Sequence, residues 1–386
     1  MAQQPRVDGL SAKRIQGELP EKTKMKPVNI LVDSLADEGL TNAQMINARE
    51  IVSRLNSDRF AVTMFVHGPP AAQISGRPNT RLIKLPDRLQ TIPLLARFLF
   101  GRQDILFYLK ASPASRWYLK LRSLRRSPCI IAGTIESQTD WRDDTITPQA
   151  IRLIEETTLR CDCLFSNSAF VKRSLETNYG LLSEVVPTGV DTEFFTPHWD
   201  RPANSRPRVL FVGALRAFKG PQVVLDAAQR YPQADFVVVG DGVMAQELRD
   251  RAKGLANVVM RGSRGRTAIR EEYREADIFL FPSRWEGSPR VLMEAGASGL
   301  PVIARPDYEP ESVIDSKTGF LAATDDELMM RLAQLLANPD LCRTLGQSGR
   351  SHVARFSWDV ITRQWETIFT RLAHAQKKDS RRESVT

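Results

Sequence analysis

A chain of 386 residues is long enough to bury two separate cores. It has no apolar run of the ~20 residues that would cross a bilayer, and four scattered cysteines exclude a disulfide framework. The formal net charge of +9 invites an anionic partner, but no segment resembles a nucleic-acid module, so no nucleic-acid partner is expected.

The first 26 residues form a basic, Pro-containing leader without the apolar centre of a signal peptide, and disorder is expected there. A first domain is expected over residues 27–200. It opens with a strand at 27–33 and a loop at 34–41. An amphipathic helix at 43–55 then carries Ile46, Ile51, Val52 and Leu55 on one face, and a second strand spans 60–66. Between Arg81 and Arg126, eleven Lys and Arg residues face only Asp87 and Asp104, an excess equal to that of the whole chain. Leu94, Phe98, Phe100, Trp117 and Tyr118 interleave with them. That composition suits an anionic membrane surface, and it equally suits core helices with solvated basic faces. Residues 129–137 read as a strand and loop bearing Glu136. The pair Cys161 and Cys163 lacks a second Cys or His pair and reads as two half-buried thiols. Residues 164–168 end a strand, with Ser168 capping the helix that follows.

A Pro-rich polar linker at 196–207 leads to a second domain expected over residues 208–355. Its first apolar run ends at Gly213, and Arg216, Lys219 and Gly220 precede an amphipathic helix with Val223, Val224, Ala227 and Ala228. Two more apolar runs end in Gly240 and Gly262. A fourth, at 278–281, leads into a polar turn, a helix from about Pro289, and another strand at 301–304. Glu286 and Glu294 sit eight positions apart in this last unit. Between them Gly287 and Ser288 let the backbone approach a ligand, and Pro289 suits a first helical position. The free N–H groups of a helix start, followed by Arg290, suit an anion such as a diphosphate. Flanking carboxylates are costly there unless they meet hydroxyl groups. A sugar joined to a nucleotide diphosphate offers both.

This segment resembles the donor-site signature of the family 4 glycosyltransferases, retaining enzymes of the GT-B fold. Pro282, Ser283, Glu286, Gly287, Glu294, Ala295, Gly299, Pro301 and Val302 match in register, while Ser288-Pro289 stand where the family usually has Phe-Gly. Lys219 aligns with the family's Lys, expected against the donor diphosphate. The family's Arg falls on Ala214, and Arg216 is the candidate to replace its charge. The turns at Gly240 and Gly262 resemble strand-loop units that hold the base, and Gly189-Val-Asp191 resembles a family hallmark at the end of the first domain. Glu136 stands where many members carry a His near the transferred sugar.

The resemblance implies an α/β GT-B architecture of two Rossmann-like domains with parallel sheets facing each other across a cleft. Residues 356–375 would form a C-terminal helix crossing back to the first domain. It further implies a nucleotide-sugar donor and a glycan, lipid-linked or other hydroxyl acceptor. Glu286, Lys219 and Glu136 would be catalytic. Gly213, Arg216, Lys219, Gly240, Gly262, Gly287, Ser288, Pro289, Arg290 and Glu294 would surround the donor, Glu286 near sugar hydroxyls and Glu294 near the ribose. No cofactor is implied. With no Asp-x-Asp pair in the chain, metal independence is the expectation, in a cytoplasmic enzyme with peripheral membrane contact. Two rivals are a sugar-nucleotide epimerase of the same fold and a non-catalytic nucleotide-sugar-binding subunit.

Overall fold

A computed structural model describes residues 26–39, 42–109, 111–125, 127–141, 146–202 and 204–383, with side chains to residue 375. The leader up to residue 25 lies outside the described residues. Among the described residues, the strands form two sheets. The first contains β1 (Val28–Leu35), β2 (Phe60–Val66), β3 (Thr80–Lys84), β4 (Ile105–Phe107), β5 (Ile130–Ile135), β6 (Cys163–Ser166) and β7 (Glu184–Val185), in the order β3-β2-β1-β4-β5-β6-β7. The second contains β8 (Arg208–Val212), β9 (Asp235–Val239), β10 (Val258–Gly262), β11 (Ile278–Phe281), β12 (Val302–Ala304) and β13 (Gly319–Leu321), in the order β10-β9-β8-β11-β12-β13.

Neighbouring strands pair in parallel in both sheets. The sequence dictates this. Runs such as Phe236 to Val239 are buried without alternation, as strands covered on both faces must be. The expected pair of Rossmann-like sheets is therefore present. In each sheet the chain steps outward from its first strand and returns beside it, so β1 meets β4 and β8 meets β11. These are the switch points where connections diverge and leave a crevice beyond the C-terminal strand ends. The crevices of the two sheets open toward each other, and loops from both meet there.

Both connections between the domains run side by side. The Val190 N–H donates to the Phe356 carbonyl at 2.8 Å, and the Trp358 N–H donates to the Val190 carbonyl at 3.1 Å. Gly189 is required at this crossing, because a Cβ there would lie 2.3 Å from the Trp358 ring. The helix Trp358–Glu383 then lies against the first sheet. Trp358, Ile361, Trp365, Ile368 and Phe369 join Phe60, Phe107 and Phe165 in one buried cluster. The Phe107 ring centre is 4.7 Å from that of Trp365 and 4.8 Å from that of Phe369.

One local expectation needs correction. In the helix Ala43–Arg54, Ile46 is only half-buried, and Asn47 and Glu50 are buried beside Ile51 and Val52. Polar partners explain the rotation: Asn47 donates to Glu136, and Glu50 pairs with Arg54 at 2.5 Å. Of the two readings of the stretch between Arg81 and Arg126, core helices with solvated basic faces describe its elements. The stretch supplies β3, the helix Thr91–Phe100, the central strand β4 and the helix Pro113–Leu121. Several of its arginines serve the fold. Arg97 donates to Thr63, Arg125 to the Gly101 and Gln103 carbonyls, and Arg122 forks onto Asp162 at 2.8 and 3.0 Å. Arg126 and Lys110 lie outside the described residues.

Candidate active site

The switch point of the second sheet brings together two loops that are 67 positions apart in sequence. The loop after β8 holds a short 3-10 turn, Ala217–Lys219, and the loop after β11 holds Ser283 and Glu286. Lys219 Nζ sits 2.5 Å from Glu286 Oε1, and Ser283 Oγ donates to the same oxygen at 2.6 Å. The ammonium also lies over the rings of Phe218 and Phe281, at 5.2 and 5.7 Å. Glu286 is buried, so this carboxylate is held by an ion pair and a hydroxyl rather than by water. Arg216 opens the same turn, and its carbonyl accepts the Lys219 N–H at 3.0 Å.

Gly213, Gly240 and Gly262 end β8, β9 and β10 and form a row of backbone in contact. The Gly213 N–H donates to the Val239 carbonyl at 3.0 Å, and the Gly240 N–H to the Gly262 carbonyl at 2.9 Å. A Cβ on Gly240, whose φ is 145°, would lie 1.8 Å from the Gly213 oxygen. Only glycine lets these loops stack so closely.

The helix after Glu286 is Arg290–Ala297, with Pro289 as its N-cap and φ of −69° and ψ of 114°. Pro289 thus stands one residue before the first helical position, because its ψ is extended. Gly287 and Ser288 form the turn, and Arg290 opens the helix. Glu294 lies within it, half-buried, and accepts from the Tyr273 hydroxyl at 3.2 Å. Burial pushes the Glu294 carboxyl up, while the Arg290 charge and the Tyr273 hydrogen bond act the other way.

The first domain closes over this turn. Gln138 Nε2 donates to the Glu286 carbonyl at 2.8 Å, and Ser168 Oγ to the Gly287 carbonyl at 3.1 Å. Trp285 Nε1 donates to Asp140 at 2.7 Å. Ser168 also caps its helix, accepting from the Val171 N–H at 3.1 Å. Glu136 follows β5 with its carbonyl directly against Gly287. Its carboxylate accepts from Asn47 at 3.1 Å and from the Tyr108 hydroxyl. Burial pushes the Glu136 carboxyl up to about 7, opposed by the Asn47 hydrogen bond and the charge of Arg290. One helix-opening cation is therefore felt by the acidic residues of both domains.

Two cavities adjoin Glu136. The larger, about 170 Å³, is lined by Asp33, Ser34, Tyr108, Glu136 and Trp141 among others. The smaller, about 20 Å³, lies between Asn47, Glu136 and Asn167. Asn47 Oδ1 and Asn167 Oδ1 are buried with no hydrogen-bond partner among the described residues, and the space beside them admits a hydroxyl group or a water. Asn47, Tyr108, Gln138 and Tyr273 went unnoticed in the sequence. Asn47 left one trace, a polar residue beside the apolar stripe of its helix. Tyr108 follows a strand of three residues, too short to mark itself.

Comparison with known proteins decides the family. A model described as "Glycosyl transferases group 1" matches residues 198–352. The D-inositol 3-phosphate glycosyltransferase of Corynebacterium glutamicum (strain R) is 31% identical over 64% of this chain and 68% of its own length. The chain belongs to the group 1 glycosyltransferases. Within that family, the GDP-mannose-dependent alpha-(1-6)-phosphatidylinositol monomannoside mannosyltransferase of Mycolicibacterium smegmatis is 28% identical over 78% of this chain and 84% of its own. Several other relatives are matched over less of their length, 64% for the Corynebacterium jeikeium protein and 44% for that of Segniliparus rotundus. Among solved structures, the sucrose-phosphate synthase of Thermosynechococcus elongatus superimposes with a TM-score of 0.75, at 21% identity, over 90% of this chain and all of that one. Anabaena HepE in complex with UDP and glucose does so at 0.68, with 17% identity, over 88% and 99%. These likenesses establish the GT-B fold.

Proposed function

We propose that this protein is a retaining glycosyltransferase of the family 4 type, transferring a sugar from a nucleotide diphosphate sugar to a hydroxyl acceptor. The observation that carries this is the joining of Lys219 to Glu286 at a switch point, beside a helix start opened by Arg290. A diphosphate laid across that helix start meets free N–H groups and two cations. As the sugar leaves, negative charge grows on the diphosphate, and donors already fixed in place stabilise it without reorganising. Lys219 would turn from Glu286 to the diphosphate, freeing the Glu286 carboxylate to accept from sugar hydroxyls. Glu294, beside Tyr273, is assigned to the ribose, and the row Gly213, Gly240 and Gly262 to the base and phosphates.

Glu136 is assigned to the reacting centre, where its carboxyl, pushed up to about 7 by burial, and the adjoining cavity of about 170 Å³ would meet the acceptor hydroxyl. The mycolicibacterial relative is named for a phosphatidylinositol-linked acceptor and GDP-mannose, which supports a lipid-linked or glycan acceptor and places GDP-sugars in the first screen. Because Lys219 and Arg290 supply fixed positive charge, turnover is expected to persist in a chelator. A cytoplasmic site of action belongs to the same proposal.

The test is a thermal-shift screen against UDP-, GDP- and ADP-sugars, followed by product analysis with and without acceptor. The expected result is stabilisation by one nucleotide class and sugar transfer, with the anomeric configuration kept, only when acceptor is present. A donor rearranged without acceptor would identify an epimerase. Stabilisation without any turnover would leave a binding subunit.

A further inference from the structure

The helices Thr91–Phe100 and Pro113–Leu121 cover one face of the first sheet as a two-helix layer, joined through Phe98 and Tyr118, whose ring centres are 4.9 Å apart. The outer surface of that layer is unusually apolar. Four-residue spacing sets Ile92, Ala96 and Phe100 on one helix face, and Ile92 and Phe100 are 60% and 74% exposed. Leu89, just before the helix, is 74% exposed and has a φ of 58°, a left-handed backbone unusual for leucine. Trp117 on the second helix and Leu124 in the 3-10 turn that follows it are also exposed, at 47% and 67%. Of the eleven exposed large hydrophobic side chains among the described residues, these are five, gathered in about a tenth of the chain. Such concentration marks a contact surface, where scatter would not.

Cations accompany them. Arg81, Lys84, Arg88, Arg102 and Lys120 are exposed and make no ion pair among the described residues. Of the acids within this stretch, Asp104 is committed to the Asn29 N–H at 2.8 Å, which leaves Asp87 to oppose them. We infer that this two-helix face docks on an anionic lipid bilayer, inserting Leu89, Ile92 and Phe100 at headgroup depth with the free cations against lipid phosphates. A second copy of the chain fits poorly, because a symmetric contact would set this basic face against itself. Among the described residues no helix is long and apolar enough to cross a membrane, so the contact would be peripheral. The surface stands on its own observations. Its use, delivering a lipid-linked acceptor, rests on the glycosyltransferase reading: the loop entering the helix Pro113–Leu121 gives Tyr108, Leu109 and Ala111 to the cavity beside Glu136.

The experiment is sedimentation of the full chain with phosphatidylcholine vesicles, alone or mixed in equal parts with phosphatidylglycerol, at low and high salt. Binding should need phosphatidylglycerol and fall about tenfold or more at high salt. The variant Ile92→Ser/Phe100→Ser and the variant Arg88→Glu/Arg102→Glu/Lys120→Glu should each lose about tenfold or more, with unchanged melting temperature. Indifference of the wild type to anionic vesicles, or full binding by the serine variant, would overturn the proposal. So would a wild-type dimer that Phe100→Ser dissociates. The nucleotide-sugar thermal shift, read on the same samples, separates the two failures: lost vesicle binding with an intact shift condemns only the docking surface, and the reverse condemns only the donor site.

Discussion

Gly287→Ala offers the sharpest test of how the two domains cooperate. The added Cβ would lie 2.0 Å from the Glu136 carbonyl oxygen and 2.8 Å from its carbon, both backbone atoms that cannot rotate away. Ordinary contact begins near 3.4 Å, so the facing loops must part by roughly 1.4 Å. That displacement stretches the bonds from Gln138 to the Glu286 carbonyl and from Trp285 to Asp140, now 2.8 and 2.7 Å, past useful range. The bond from Ser168 to the Gly287 carbonyl, at 3.1 Å, goes with them. At about 1 kcal/mol net each, the closed arrangement loses about 3 kcal/mol, which lowers the closed-to-open ratio about 100-fold. Turnover should fall by up to that factor. Nucleotide affinity, measured by calorimetry, should change by no more than about threefold, since Lys219 and the glycine row belong to the second domain alone. Small-angle scattering should report a larger radius of gyration. Wild-type turnover in an equally compact variant would refute the claim that this contact sets the closed state.

Three further outcomes are expected. Glu286→Gln should retain the fold and most nucleotide affinity while turnover falls about 100-fold or more, because a neutral amide cannot match a carboxylate facing sugar hydroxyls; near-normal kinetics would remove Glu286 from the centre. Lys219→Ala should weaken a nucleoside diphosphate by about 1.5–3 kcal/mol and the bare nucleoside by much less, and equal losses by calorimetry would make the lysine merely structural. Glu136 predicts a pH effect. Its folded carboxyl titrates near 7 and its unfolded one near the ordinary value of 4.5, so the folded state holds a proton that the unfolded state releases. Its contribution to stability is therefore full below pH 4.5 and is lost as pH rises through 7. Glu136→Gln should flatten that loss in melting curves across the same window, and a parallel pH profile in wild type and variant would contradict the burial argument.

The sequence made the architecture legible because parallel strands buried on both faces leave continuous apolar runs, as at 208–212, 235–239 and 278–281. The loop residues were legible for a different reason: Gly213, Lys219 and Glu286 sit in turns whose composition departs from ordinary surface, and Glu294 lies in the helix that the last of these turns opens. What the sequence withheld was pairing. Nothing local says that Lys219 grips Glu286; the switch between β8 and β11 says it, and strand order is a long-range property. The same holds for Asn47, Tyr108 and Glu136, which come from three separate elements. The basic stretch from Arg81 to Arg126 was only half legible, for the converse reason. Composition sums over residues that the fold sends to opposite fates, Arg97 and Arg125 to backbone and side-chain partners, Arg88 and Arg102 to solvent.

The return of the helix Trp358–Glu383 to the first sheet has a consequence for synthesis. Phe60, Phe107 and Phe165 are made early, yet the side chains that cover them, Trp365 and Phe369 among them, are made only after the whole second domain. While the second domain is being translated, the first waits on the ribosome with an aromatic face uncovered, a state open to chaperones and to aggregation. The order of completion is thus the reverse of the order of translation. A nonsense mutation near residue 357 would spare the residues of the proposed donor site and still strand the first domain in its nascent, sticky form.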